Sequence, residues 1–248
     1  MRIRYVVPGP MGSDELQRRG KLLKSWAPSD VQIEIEDTSS GPSSIECTYE
    51  EHLSIPGLAE RLLSAEAQGI DAMIVGCADD PGVDALREIA TRTAVIGPMT
   101  AAMHVACQLG ERFAIVTVPT VGAVRRLVQA QRLNDCLLDI GVVDIPVLSL
   151  GNDPEETASK VIRKSRELAD RGADTIVLGC MSLAFLDRDA ELIREIGTPV
   201  VNPAKVGIGT AATIVRAGLM PSKVAYPTPP KVAAGQRLVE FLSPAVRA

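Results

Sequence analysis

The sequence predicts an α/β protein of two pseudo-symmetric, open parallel-sheet lobes made of duplicated βα units, with the active site in the cleft between them. Three observations carry this. Residues 69–77 read Gly-Ile-Asp-Ala-Met-Ile-Val-Gly-Cys, and residues 172–180 read Gly-Ala-Asp-Thr-Ile-Val-Leu-Gly-Cys. Four of these nine positions are identical, and four of the other five are apolar in both copies. Short Val- and Ile-rich runs bounded by Gly, Asp and Pro also alternate with segments of helical periodicity, the pattern of parallel strands buried on both faces. Finally, 46% of the 248 residues are hydrophobic but only seven are aromatic, so the cores are aliphatic.

The elements follow in order. Arg2–Val7 is the first strand and is matched in the second half by Arg112–Val118. Val31–Glu36 is matched by Val142–Leu148, and the helix Leu58–Gln68 by Thr157–Arg171. In the helix, Leu58, Leu62, Leu63 and Ala65 form one apolar stripe. After each Gly-Cys comes a helix (Pro81–Thr91; Asp187–Ile196) and then a short strand (Ala94–Gly97; Pro199–Asn202) that meets a proline, Pro98 or Pro203. Asp80 before Pro81 has the form of an N-cap with Pro at the first helical position, and Asp187 is expected to cap the second helix. Gly207-Ile-Gly209 lacks the context of a dinucleotide fingerprint and is expected at a close-packed helix start. Tyr226–Pro230 leads as an extended connector to a final helix, Val232–Leu242. The expected lobes are 1–97 with 208–248, and 98–207; no linker separates them.

The net charge of −5 and the absence of a basic run leave no nucleic-acid footprint. No apolar stretch reaches about 18 residues, so no membrane span is expected. Met1–Val7 runs into a strand rather than a signal peptide, and the five cysteines lack CxxC spacing and an even count. The expectation is a cytoplasmic protein without disulfides or a metal site.

In open parallel sheets ligands bind beyond the carboxyl ends of the strands. Cys77 and Cys180 stand at two equivalent strand ends. If the lobes face each other, the two thiols flank one pocket. A thiol near a helix N-terminus has its pKa lowered from about 8.5. One thiolate then takes a proton from one face of a carbon and the opposing thiol returns one to the other. The remaining sulfurs are placed elsewhere: Cys107 on a helix over Ala101–Leu109 and Cys136 in an apolar stretch, both in the core, with Cys47 in the loop Ser43–Cys47. His52 and His104 belong to no Ser–His–acid series.

These segments carry a resemblance. Gly41-Pro-Ser-Ser-Ile-Glu46, Ser54-Ile-Pro-Gly57, Cys77-Ala-Asp-Asp-Pro-Gly-Val-Asp-Ala-Leu-Arg-Glu88, Arg112–Thr117 and Leu178-Gly-Cys180 together resemble the aspartate/glutamate/hydantoin racemase superfamily, most of all its hydantoin and allantoin racemases. The resemblance implies a cofactor-independent isomerase acting on a small molecule, assembled as a homo-oligomer, with Cys77 and Cys180 as the catalytic pair. It places Thr117 and the loop to Thr120 at the substrate's carboxylate or ring carbonyl. Ala78, Asp79, Met181 and Ser182 are placed beside the thiols, where backbone amides bind an enolate. Pro8, after the first strand, and Ile45 complete the expected substrate contacts.

The chain departs from hydantoin racemases at three places. Val7-Pro8-Gly9-Pro10 stands where Asn-Pro-Asn-Thr is frequent, Ala78-Asp79 where Phe-Gly is typical, and Met181-Ser182-Leu183 where Ala-Gly-Met is usual. Three readings follow. The first is a racemase or epimerase of hydantoin- or allantoin-like substrates, and the second a maleate-type isomerase or a decarboxylase on the same scaffold. The third is a non-catalytic binder of small acids.

Overall fold

The computed structural model describes residues 1–119 and 121–233. Its first half runs β1 (Arg2–Val7), α1 (Ser13–Trp26), β2 (Gln32–Asp37), α2 (Thr48–Ala67), β3 (Ala72–Val75), α3 (Val83–Ile89), β4 (Ala94–Ile96) and α4 (Pro98–Leu109). The second runs β5 (Phe113–Thr117), α5 (Val121–Ala130), β6 (Leu137–Val142), a 3₁₀ turn (Val147–Ser149), α6 (Pro154–Asp170), β7 (Thr175–Leu178), α7 (Met181–Ala184), α8 (Asp189–Ile196), β8 (Val200–Val201) and α9 (Pro203–Arg216). A short α10 (Pro230–Ala233) follows. The strands form two parallel four-stranded sheets, ordered β2-β1-β3-β4 and β6-β5-β7-β8. The duplicated pattern is thus a duplicated topology.

Register follows the repeat. Tyr5 of β1 lies beside Ile74 of β3, and Ile115 of β5 beside Val177 of β7. Because Ile74 and Val177 are equivalent in the repeated segment, Tyr5 and Ile115 hold the same place in the two lobes. All residues of β3, β5 and β7 are buried, as strands covered on both faces must be.

The helices closing each repeat are exchanged. α4 follows the first sheet but packs on β5, β7 and β8; α9 follows the second sheet but packs on β3 and β4. Where α4 and α9 meet, a Cβ on Gly207 would stand 3.1 Å from Cβ of Pro98. Gly207 and Gly209 therefore lie inside α9 rather than at a helix start, and Gly207 permits the close crossing.

Other boundaries shift for physical reasons. The second-half strand expected at Val142–Leu148 is β6, Leu137–Val142, an edge strand whose Asp139 and Gly141 hide its pattern. Pro146, which has no N–H, begins the 3₁₀ turn instead. α3 begins at Val83 rather than Pro81, because Asp80 and Gly82 both take left-handed φ, +49° and +67°. Only the first two residues of the expected helix Val232–Leu242 are described, in α10; the rest, and Thr120, lie outside the described residues.

Candidate active site

Both Gly-Cys turns are built alike. Gly76 donates its N–H to the carbonyl of Val6 at 2.7 Å, and Gly179 donates to Val116 at 2.8 Å. In each case the chain leaves the sheet against the central strand, where a side chain has no room. A Cβ on Gly76 would lie 2.5 Å from Cε1 of Tyr5, and one on Gly179 2.6 Å from Cγ2 of Ile115. The glycines are thus required for the close approach. The next residue, Cys77 or Cys180, is delivered to the end of its sheet.

The two cysteines open on one cavity of about 680 Å³. Pro8, Ile45, Ala78, Asp79, Met181 and Ser182 also line it, so six of the expected contact residues converge with the thiols. Thr117 does not. It is fully buried and its hydroxyl donates to the Gly179 carbonyl at 2.7 Å, bracing the second Gly-Cys turn. Thr120 falls outside the described residues. Cys47 is exposed and N-caps α2, with Glu50 accepting from its backbone N–H at 3.1 Å. Cys107 and Cys136 are half-buried at the core's margin and hydrogen-bonded to each other; burial and this neighbour push the Cys107 thiol up to about 11. His52 and His104 are exposed, the latter 3.3 Å from Oε1 of Gln131.

The thiols are not acidified as a helix N-terminus suggests. Burial pushes Cys77 well above the usual thiol range, and the Asp79 carboxylate adds to this, against one hydrogen bond from the Asp79 N–H. Burial raises Cys180 as well, opposed by the N–H groups of Ser182 and Leu183 and by the Arg19 guanidinium. Cys77 is followed by a turn rather than a helix, and α7 after Cys180 has only four residues, too little dipole to outweigh desolvation.

The expected cap residues do other work. Asp80 does not cap α3; its carboxylate accepts from the N–H of Met99 at 3.0 Å and Thr100 at 2.8 Å, holding the start of α4. Asn202 performs that task in the second lobe, accepting from Ala204 at 3.0 Å and Lys205 at 3.3 Å at the start of α9. Asp187 stands outside α8 and pairs with Lys205 at 3.1 Å. Asp79 projects where the main cavity meets a smaller one of about 250 Å³ bordered by Glu51 and Arg126. Burial, then Glu51 and Asp80, lift its carboxyl to about 7, against Arg126.

The polar wall that the sequence did not reveal comes from α1. Glu15, Arg18 and Arg19 line the cavity. Arg19 is 6% exposed; it donates to Oε1 of Glu15 at 2.7 Å and to Oγ of Ser182 at 3.2 Å, and lies 4.7 Å from the Phe185 ring centre. Arg18 donates to the Phe185 carbonyl at 2.9 Å. Trp26 stacks on Phe185 at 5.4 Å and Tyr5 meets it edge-on at 5.7 Å. Three of the seven aromatics thereby lock the helix beside Cys180 to the first lobe. The only sequence signal was Arg18-Arg19 one helical turn after Glu15; the partners lie more than 160 residues away.

Chemically, two thiols from two lobes share one cavity, each met by backbone N–H groups of its own turn. That arrangement can take a proton from one face of a bound carbon acid and return one to the other. A model of the Asp/Glu/hydantoin racemase family matches residues 14–211. The chain is 36% identical to the hydantoin racemase of Pseudomonas sp. (strain NS671) over 205 residues, 81% of each chain. It is 35% identical to the hydantoin racemase of Rhizobium meliloti over 216 residues, 84% of this chain and 87% of that one. Among solved structures, allantoin racemase from Klebsiella pneumoniae superposes with a TM-score of 0.85 at 29% identity, covering 92% of this chain and 94% of that one.

Proposed function

Because the chain belongs to the Asp/Glu/hydantoin racemase family, we propose that this isomerase is a cofactor-independent, two-cysteine racemase of hydantoin- or allantoin-like substrates. The observation that carries the reading is the pair of matched Gly-Cys turns opening on one cavity. One sulfur, as thiolate, removes the hydrogen of the carbon next to a ring carbonyl. The C–H bond breaks, an S–H bond forms, and the electron pair moves onto the carbonyl oxygen. The opposite thiol then gives its proton to the other face, its S–H bond breaking as the new C–H bond forms. The expected donors to the enolate oxygen are the backbone N–H groups at Ala78–Asp79 and Met181–Ser182; those of Asp79 and Ser182 meet the sulfurs, which leaves Ala78 and Met181 as the proposed donors. The reverse enantiomer uses the sulfurs in exchanged roles.

Both thiols are raised by burial, so forming the thiolate is opposed by desolvation and assisted by the backbone N–H groups beside each sulfur. The lobes expected from the sequence are 1–97 with 208–248, and 98–207; because α9 (Pro203–Arg216) packs on β3 and β4, we place the second boundary before Pro203, so that the whole helix goes with the first lobe. A homo-oligomer remains part of the proposal. No helix among the described residues is long and apolar enough to cross a membrane.

A dicarboxylate substrate, as in maleate-type isomerisation or decarboxylation, needs cations for its second carboxylate. Arg18 and Arg19 share the single carboxylate of Glu15, which leaves this wall one net positive charge, so the preference for a cyclic ureide rests on the hydantoin and allantoin racemase relatives. Single enantiomers of 5-substituted hydantoins, allantoin, aspartate and glutamate, together with maleate, incubated in heavy water, test this. Deuterium at the stereocentre with loss of optical rotation is expected for the cyclic ureides. Turnover of maleate alone would refute the racemase reading.

A further inference from the structure

The two-thiol chemistry leaves one buried polar group without a task, the hydroxyl of Tyr5. Tyr5 is 0% exposed, and its hydroxyl has no hydrogen-bond partner among the described residues. A buried hydroxyl left unpaired is costly, and phenylalanine would fill the same space without that cost. The ring is tightly held. It packs edge-on against Phe185 at 5.7 Å, and a Cβ on Gly76 would meet its Cε1 at 2.5 Å and its Cζ at 3.0 Å. The phenol end of the ring therefore lies against the residue that immediately precedes Cys77. At the same register of the second lobe stands Ile115, which carries no polar atom.

That asymmetry mirrors a second one. A thiolate at Cys180 is met by the Arg19 guanidinium and by the N–H groups of Ser182 and Leu183, with the Asp79 carboxylate opposing it. A thiolate at Cys77 is met by the Asp79 N–H, with the carboxylates of Asp79 and Asp80 opposing it and no guanidinium among the main influences on it. Racemisation in both directions requires each sulfur to carry the charge in turn, so the first lobe lacks a donor that the second possesses. The hydroxyl makes no hydrogen bond to the neutral thiol, a weak acceptor, so the bond forms only when the Cys77 side chain turns toward it on ionising.

We propose that Tyr5 is a positioning residue whose hydroxyl donates a hydrogen bond to the Cys77 sulfur when that sulfur is a thiolate. The inference rests on the two-thiol reading of the site. Arg19 from α1, Cys77 and Asp80 after β3, and Cys180 after β7 are the charged and titratable groups around this hydroxyl. Burial holds the phenol well above its ordinary range, so it stays a donor while the thiols titrate.

The test is Tyr5→Phe in the full chain, with iodoacetamide as probe and peptide mass spectrometry reading alkylation at each cysteine at pH 8. Exposed Cys47 serves as the internal reference. The expected result is alkylation of Cys77 slowed by about tenfold or more, the worth of a hydrogen bond to a charged group. Cys180 should react as before, and the melting temperature should be unchanged or higher. Unchanged alkylation of Cys77 would overturn the proposal. Slowing at both cysteines together with a lower melting temperature would also overturn it, by assigning Tyr5 to packing. This readout needs no substrate, so it stands apart from any failure of the racemase reading.

Discussion

Asp80 and Gly97 interlock: a Cβ at position 97 would lie 2.4 Å from Oδ2 of Asp80, the oxygen that receives the N–H of Thr100. The carboxylate occupies the place where an N-cap side chain would otherwise sit, so the cap of α4 comes from the Cys77 loop. The second lobe solves the same problem within the helix itself, through Asn202. The first thiol loop is therefore tied to α4, which packs on the sheet of the other lobe.

Asp80→Ala leaves two N–H groups at the start of α4 without their acceptor and is expected to destabilise the protein by about 2 kcal/mol. Gly97→Ala drives a methyl group into that carboxylate and should be at least as harmful. Urea unfolding of both variants at pH 7 checks this.

Asp79 sets a pH dependence. Its carboxyl is lifted from 3.8 to about 7 in the folded chain, so between these values the folded state binds more protons than the unfolded. Its contribution to stability therefore falls as pH rises through that window and is fully lost above about 7. Asp79→Asn should change stability little at pH 4 and raise it at pH 8 by at most about 4 kcal/mol, about 1.4 kcal/mol for each of roughly three pH units, reduced by solvent screening of this half-buried carboxyl. It should also speed alkylation of Cys77 at pH 8, because the charge opposing that thiolate is gone. Denaturant titrations across pH 4–8 would show the difference between the two proteins widening.

Two glycines of one helix give a contrast. Gly209 has nothing within 4 Å of a notional Cβ, so Gly209→Ala should stabilise by roughly 0.5–1 kcal/mol through helix propensity. Gly207 faces Pro98 at 3.1 Å, so Gly207→Ala forces α4 and α9 apart and should destabilise by about 1 kcal/mol or more. Thermal unfolding of the pair reads the sign directly.

Arg19 serves Cys180 from across the cleft. Arg19→Met keeps the stem over Phe185 but removes the charge and both hydrogen bonds. Alkylation of Cys180 should slow several-fold while Cys77 is little changed. Arg19→Lys should not restore it, because a single ammonium cannot reproduce the fork that meets Glu15 and Ser182 together.

What was legible in the sequence is what the repeat encodes locally. Gly76-Cys77 and Gly179-Cys180 sit where two equivalent buried strands end, and the parallel sheets follow from the same segments. The site's neighbours were harder to read. Thr117 looked like a substrate contact, but its hydroxyl goes to Gly179 one strand away. Asp80-Pro81 looked like a cap for the next helix, but the left-handed turn aims its carboxylate at α4. Glu15, Arg18 and Arg19 went unread, because their partners Ser182 and Phe185 lie more than 160 residues away and meet them only across the fold. The thiol acidity was misjudged because sequence shows a nearby helix but not the burial that outweighs it.

The central claim is that Cys77 and Cys180 act as a pair. The most direct measurement is polarimetry in heavy water on one enantiomer of a 5-substituted hydantoin, with the parent, Cys77→Ala and Cys180→Ala. The account predicts racemisation with deuterium incorporation by the parent and loss of racemisation in both variants, each still folded. Continued racemisation by both single variants would contradict it.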